Sequence, residues 1–176
     1  MKKNLSEYNS RNLQSAKDIR FGIVVSEWNA EITESLYKGC CDTLISYGAN
    51  PKNILVKYVP GSFELPMGAQ LLAKYSKINA IICIGCVIKG ETNHFEYISK
   101  AVAEGIMKVG LKCNLPVIFC VLTTDNLEQA KERAGLSSAG GGKCGNKGVE
   151  AAIAAIKMAG YKDRRQEAGG RRQEKK

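Results

Sequence analysis

The chain has 176 residues, of which 44% are apolar, and a formal net charge of +9. This length suits one globular domain, and the apolar fraction argues against disorder in the body of the chain. Residues 1–20 and 161–176 together carry +7 of the net charge, whereas residues 21–160 carry only +2. A basic nucleic-acid-binding face on the folded part is therefore not expected. The charge pattern predicts an N-terminal arm (1–20), one domain (21–160) and a basic flexible tail (161–176).

Four short apolar runs alternate with helical patterns along residues 21–160. The predicted strands are 21–25, 53–59, 80–85 and 116–123. The predicted helices run from Ile32 to Leu44, over about 64–75, from Phe95 to Val109, over 126–134 and from Val149 to Ala159. This alternation predicts an α/β fold with a four-stranded parallel sheet and helices on both faces. Because the runs are almost entirely apolar, we expect strands that are buried on both sides.

Neither export nor membrane insertion is expected. No apolar stretch follows the two lysines near the start of the chain, and no apolar run approaches the length of a membrane span. We therefore expect a cytoplasmic protein whose seven cysteines are free thiols. Cys83 and Cys86 form a C-x-x-C pair, but Cys83 lies inside an apolar run, which favours a core thiol over a redox pair. The single histidine makes a metal site less plausible still.

Ligands of parallel sheets bind outside the carboxyl ends of the strands. The segments that follow the predicted strands contain Trp28, the turn at Gly61, His94 and the pair Thr123–Thr124. We therefore expect one site at this edge of the sheet. No G-x-S-x-G elbow is present and no G-x-G-x-x-G follows the first strand, which argues against an esterase and against a dinucleotide cofactor.

Three side chains have both a functional and a purely structural interpretation. His94, the only histidine, could be a surface side chain. Its position at a helix start beyond a strand favours proton transfer, and the helix dipole favours the neutral imidazole. Trp28 could be a core residue or an exposed stacking platform, and Arg133 could simply belong to the solvated face of helix 126–134. The glycine-rich segment 140–148 opens a helix and could bind an anion or be a linker.

Five motifs in chain order resemble the lumazine synthase family. They are WN after the first strand, VPGSFELP, GCVIKGETNHFEYI, PVIFCVLTTDNLEQAKERAG and GNKG. The resemblance implies a flavodoxin-like three-layer sandwich and a transferase of riboflavin biosynthesis. Such an enzyme condenses 5-amino-6-(D-ribitylamino)uracil with 3,4-dihydroxy-2-butanone 4-phosphate and releases 6,7-dimethyl-8-ribityllumazine, phosphate and water. It implies no metal and no redox cofactor.

The resemblance also implies a site for the pyrimidine substrate. The implied residues are Trp28, Ser62, Phe63, Glu64, Cys86, Val87, Ile88 and, from a neighbouring subunit, Phe119. Trp28 is expected to stack on the pyrimidine ring, and Glu64 is expected to bind the ribityl chain. Residues 86–88 are expected to contact the heterocycle through backbone groups. Cys86 stands where a small residue or threonine is expected, which matters little if its role is through the backbone.

For the second substrate, the resemblance implies that Glu91 and Thr92 hold the phosphate and that Arg133 of a neighbouring subunit supplies the counter-charge. His94 falls at the position of the proton donor. The resemblance therefore also implies a homopentamer with sites shared between subunits. The expected partners are the two substrates and phosphate, without nucleic acid or membrane. Segment 135–148 is longer than in the shell-forming members, so we expect pentamers that do not close into a shell.

Two other functions fit the same fold. One is an archaeal-type riboflavin synthase, which consumes lumazine. The other is a non-catalytic flavin- or lumazine-binding protein, although a carrier needs neither His94 nor Arg133.

Overall fold

The computed structural model describes residues 13–136 and 145–170, and the side chains of the second range as far as Tyr161. The strands of this part are β1 (Phe21–Ser26), β2 (Ile54–Val59), β3 (Ala80–Ile88) and β4 (Val117–Thr124). The α-helices are α1 (Ala30–Ser46), α2 (Leu65–Tyr75), α3 (His94–Cys113), α4 (Leu127–Arg133) and α5 (Lys147–Gly170). Single 3-10 turns precede β2 and α2, at Pro51–Asn53 and Ser62–Glu64. The predicted alternation of strands and helices is confirmed.

All four strands are parallel, in the order β2-β1-β3-β4. The chain moves to one side of β1 to form β2 and to the other side to form β3 and β4. The direction of winding therefore reverses between β1 and β3, and in open α/β sheets ligands bind at the carboxyl ends beside such a reversal. The predicted α/β class with a four-stranded parallel sheet is confirmed.

Two hydrophobic cores cover the two faces of the sheet. Ile23 and Val25 of β1 pack with α1 and α5 on one face, whereas Val24 packs with α2 and α3 on the other. The predicted inner face of α1 is correct, because Ile32, Leu36, Cys40 and Leu44 are all buried. Burial of each large aliphatic side chain contributes about 1.5–3 kcal/mol, so these contacts fix the position of α1 on the sheet.

The strands differ from the predicted ones in two respects. β3 continues to Ile88, three residues beyond its predicted end, because Cys86, Val87 and Ile88 pair with β4. β2 is not buried on both sides: it lies at the edge of the sheet and its residues are half-buried or exposed.

Described structure is also present on both sides of residues 21–160, the predicted domain. Ala16 and Ile19, which belong to the predicted N-terminal arm, are buried, and the Ala16 N–H donates to the Tyr47 carbonyl at 2.9 Å. At the other end, α5 continues to Gly170, past the predicted end of the domain at residue 160. The remainder of the predicted tail and residues 137–144 of the long segment lie outside the described residues.

Cys83 and Cys86 point to opposite faces of the sheet, Cys83 towards α2 and α3 and Cys86 towards α1 and α5. Burial raises the pKa of the Cys83 thiol well above its usual range and that of Cys86 to about 11. Both side chains are buried on opposite faces of the sheet, which fits the predicted role as core thiols rather than as a redox pair. Among the described helices, none has the length and apolar character needed to cross a membrane.

Candidate active site

A pocket of about 490 Å³ lies at the carboxyl ends of β1, β2 and β3, where the winding of the sheet reverses. Its walls come from the loop after β1, the turn after β2, the end of β3 and the first turns of α3. Eight of the residues predicted for the site line it: Trp28, Ser62, Phe63, Glu64, Cys86, Val87, Ile88 and His94. The topology thus brings together groups that are up to 66 residues apart in sequence, from Trp28 to His94.

Trp28 is 73% exposed at the edge of this pocket, which excludes a core role within the chain. Its backbone N–H donates to the Pro60 carbonyl at 3.2 Å, so the loop after β1 is tied to the turn after β2. The next residue, Asn29, has a φ of 59° and its Nδ2 donates to the Cys86 carbonyl at 3.0 Å. Asparagine adopts this left-handed conformation more readily than most residues, so it both starts α1 and anchors Trp28 to β3. Asn29 was not among the predicted site residues.

The turn after β2 contributes a carboxylate and a hydroxyl group. Glu64 Oε2 accepts a hydrogen bond of 2.9 Å from the Gly61 backbone N–H, which orients the carboxylate at the pocket. Ser62 is only 6% exposed, and its hydroxyl has no hydrogen-bond partner among the described residues. A Cβ at Gly85 of β3 would lie 2.7 Å from Ser62 Oγ, so glycine is required for this close packing. A buried unpaired hydroxyl is costly, and this one belongs to a residue that lines the pocket.

His94 is exposed and is the first residue of α3, a helix of 20 residues. Its backbone N–H lies 3.5 Å from Thr92 Oγ1. The N-terminus of a helix attracts anions. Glu91 and Thr92 belong to the exposed turn just before the helix and do not line the pocket. A phosphate beside this turn would lie next to the imidazole.

Phe119 and Arg133 line a different cavity, a groove of about 710 Å³ between β4, α4 and α5 that we call the β4 groove. Phe119 is 43% exposed and Arg133 is exposed. Within one chain, the structure therefore does not bring these two residues to the pocket that contains His94. The predicted site residues fall into two sets on two surfaces.

Two further residues of the β4 groove were not predicted. Thr124 is 8% exposed, and its hydroxyl has no hydrogen-bond partner in the part of the chain that the structure describes. Lys147, from the GNKG motif, pairs with Glu150 at 2.6 Å, with both side chains largely buried. In the sequence, Thr123–Thr124 was expected at the carboxyl edge of the sheet but without a specific role. Lys147 appeared only within the GNKG motif of the resemblance.

Comparison of the sequence with known proteins identifies one family. The family model described as 6,7-dimethyl-8-ribityllumazine synthase matches residues 18–163. Among curated proteins, the 6,7-dimethyl-8-ribityllumazine synthase of Cytophaga hutchinsonii is 56% identical over 156 residues, covering 89% of this chain and 94% of the relative. Proteins of the same name from Parabacteroides distasonis (90% of this chain, 95% of the relative) and Porphyromonas gingivalis (89% and 94%) are 48% and 49% identical. The chain therefore belongs to the 6,7-dimethyl-8-ribityllumazine synthase family.

Proposed function

We propose that this chain condenses 5-amino-6-(D-ribitylamino)uracil with 3,4-dihydroxy-2-butanone 4-phosphate to give 6,7-dimethyl-8-ribityllumazine, phosphate and water. The observation that carries the proposal is the pocket at the carboxyl edge of the sheet, which gathers eight of the expected residues around one volume. The names of the relatives support the same activity. Neither alternative, a lumazine-consuming riboflavin synthase or a flavin carrier, has an observation in its favour.

The pocket suits a flat heterocycle with a polyhydroxyl chain. Trp28 offers an exposed aromatic face for stacking on the pyrimidine, which is favourable because both surfaces are removed from water. The Ser62 hydroxyl, unpaired among the described residues, is free to bond to the ligand, and the Glu64 carboxylate can accept from ribityl hydroxyl groups.

The end of β3 offers backbone groups to the heterocycle. β3 pairs with β1 only as far as Ile84, whereas it pairs with β4 to Ile88. One edge of residues 86–88 therefore has no strand partner in the described structure, and the Asn29 side chain occupies only the Cys86 carbonyl. Because the Cys86 thiol is directed into the core, this residue acts through its main chain.

His94 moves the protons of the reaction. The substrate amine attacks the ketone, and one water leaves as the imine forms. Phosphate is then eliminated, which leaves a second carbonyl after tautomerisation. The ribitylamino nitrogen attacks this carbonyl, and a second water leaves as the ring closes. Each step requires a proton to be taken up or released, and none requires a protein nucleophile. The His94 imidazole at the start of α3 can accept a proton from the amine and return it to a leaving oxygen. The helix N-terminus beside it favours the phosphate group of the second substrate.

A second copy of the chain completes the site. Phe119 and Arg133 line the β4 groove rather than the pocket, so one chain carries two incomplete halves. A head-to-tail contact that brings the β4 groove of one subunit onto the pocket of the next is heterologous, and repetition of such a contact closes a ring. We propose a homopentamer in which Arg133 of the neighbour binds the phosphate bidentately. The six free cysteines of the described residues support a reducing, cytoplasmic location.

The test is to mix the purified protein with the two substrates and to follow the absorbance of lumazine. Omission of either substrate is the control. Formation of lumazine with release of phosphate is expected. Conversion of added lumazine to riboflavin would instead identify a riboflavin synthase, and binding of lumazine without turnover would identify a carrier.

A further inference from the structure

We infer that Asn146 is a positioning residue that holds the end of α4, and with it Arg133, against the start of α5. The inference rests on the proposed function in one respect, namely that Arg133 meets the phosphate-bearing substrate. Asn146 itself contacts no substrate in this proposal and acts by positioning the Arg133 side chain.

The side chain of Asn146 joins three helical segments. Its Nδ2 donates to the Ser35 carbonyl of α1 at 2.9 Å and to the Ala134 carbonyl, directly after α4, at 2.8 Å. Its Oδ1 accepts from the Gly148 backbone N–H in the first turn of α5 at 2.8 Å. Both amide hydrogens and the oxygen are therefore engaged with backbone groups of different elements.

α4 depends on such contacts more than the other helices do. It has only seven residues, which is fewer than an isolated helix needs to persist in water. Ala130 within α4 and Ala134 directly after it are fully buried. Gly135, with a φ of 76°, follows the end of the helix. Because Arg133 is bonded to Ala134, a displacement of the Ala134 carbonyl moves the origin of the Arg133 side chain. The hydrogen bond from Asn146 thus sets where the guanidinium can reach in the β4 groove.

Asn146 is closely enclosed, which makes it sensitive to a change on the face of α1 that packs against it. A Cβ at Gly39 would lie 2.7 Å from Asn146 Cγ, and a Cβ at Gly135 would lie 3.3 Å from Asn146 Cβ. A side chain at Gly148 would overlap the Leu36 carbonyl oxygen, so α5 begins in direct contact with α1. Gly39→Ala therefore pushes on the Asn146 amide without altering any residue of the pocket or the β4 groove.

The experiment compares Asn146→Ala, Gly39→Ala and a control, Asn79→Ala, with the wild type. Asn79 also joins distant segments, since its Oδ1 accepts from the Arg20 N–H at 2.8 Å, but it directly precedes β3, at the amino ends of the strands. We measure the melting temperature, kcat, the KM of each substrate and, by calorimetry, the affinity for inorganic phosphate.

Both Asn146→Ala and Gly39→Ala should raise the KM of the butanone phosphate and weaken phosphate binding about tenfold, the effect expected of a misplaced binding group. The KM of the pyrimidine substrate should stay near that of the wild type. Asn79→Ala should lower the melting temperature but leave the KM of the butanone phosphate and the KM of the pyrimidine substrate near their wild-type values. A wild type that forms no lumazine would refute the proposed function, and the phosphate affinities would still test Asn146.

Three results would overturn the assignment. The first is a folded Asn146→Ala or Gly39→Ala protein with wild-type phosphate affinity and KM values. The second is an equal rise of both KM values, which would indicate a general loss of structure. The third is failure of both variants to fold, which would make Asn146 a residue of folding rather than of positioning.

Discussion

Replacement of Ser62 by alanine should make the free protein more stable and the enzyme weaker at binding its pyrimidine substrate. The Ser62 hydroxyl is buried and has no hydrogen-bond partner in the described structure. An unpaired buried hydroxyl costs about 1–3 kcal/mol relative to its hydrated state. Lost packing offsets part of the gain, so we expect a net stabilisation of about 1 kcal/mol, or a melting temperature about 2–4 °C higher.

The same hydroxyl should bond to the substrate in the complex. A neutral hydrogen bond contributes about 0.5–1.5 kcal/mol, so the KM of the pyrimidine should rise about 2- to 10-fold while that of the butanone phosphate is unchanged. Thermal unfolding without ligand and steady-state formation of lumazine measure the two effects.

Ser99→Ala is the matched control, because Ser99 Oγ is also buried and unpaired among the described residues but lies outside the pocket. It should change stability alone. A Ser62→Ala protein with a lower melting temperature and an unchanged KM for the pyrimidine would refute the reasoning.

Three further predictions concern catalysis and assembly. His94→Ala should lower kcat about 100-fold without abolishing turnover, because acid–base catalysis contributes about 10²–10⁴-fold and positioning of the two reactants contributes more; a folded variant with no residual activity would contradict this. Arg133→Ala should raise the KM of the butanone phosphate about 10- to 100-fold, since a charge-assisted bond contributes about 1.5–3 kcal/mol; an equal effect on the pyrimidine would remove Arg133 from the phosphate role. Light scattering should detect a species of five 19.1 kDa chains, and hollow sixty-subunit particles in electron micrographs would disprove the absence of a shell that the length of segment 135–148 suggests.

The general position of the pocket was predictable because it depends on strand direction alone. Four apolar runs separated by helices require parallel strands, and parallel strands bring their carboxyl ends to one edge. Trp28, Ser62 and His94 each follow a different strand and therefore meet in one pocket. The order and direction of the strands are sufficient to predict this pocket, without knowledge of any side-chain contact.

The details that sequence did not reveal depend on contacts between distant segments. Gly85 resembled the end of a strand, yet β3 continues through it because Cys86 to Ile88 pair with β4. Residue 85 is glycine because the Ser62 hydroxyl occupies the space where a side chain would be. Asn29 and Asn146 look like ordinary loop asparagines, and their hydrogen-bond acceptors at Cys86 and Ser35 are 57 and 111 residues away. The continuation of α5 was obscured by its charge, although lysine, arginine, glutamate and glutamine are good helix formers.

A site divided between the pocket of one subunit and the β4 groove of the next, as we propose, would link turnover to the amount of protein present. If the two halves meet only between subunits, the first chains synthesised in a cell produce nothing, and activity begins only when their concentration exceeds the dissociation constant of the ring. Specific activity would then fall on dilution, whereas an enzyme with its whole site in one chain keeps a constant specific activity. Synthesis of the product would thus have a threshold set by expression level rather than by any bound effector.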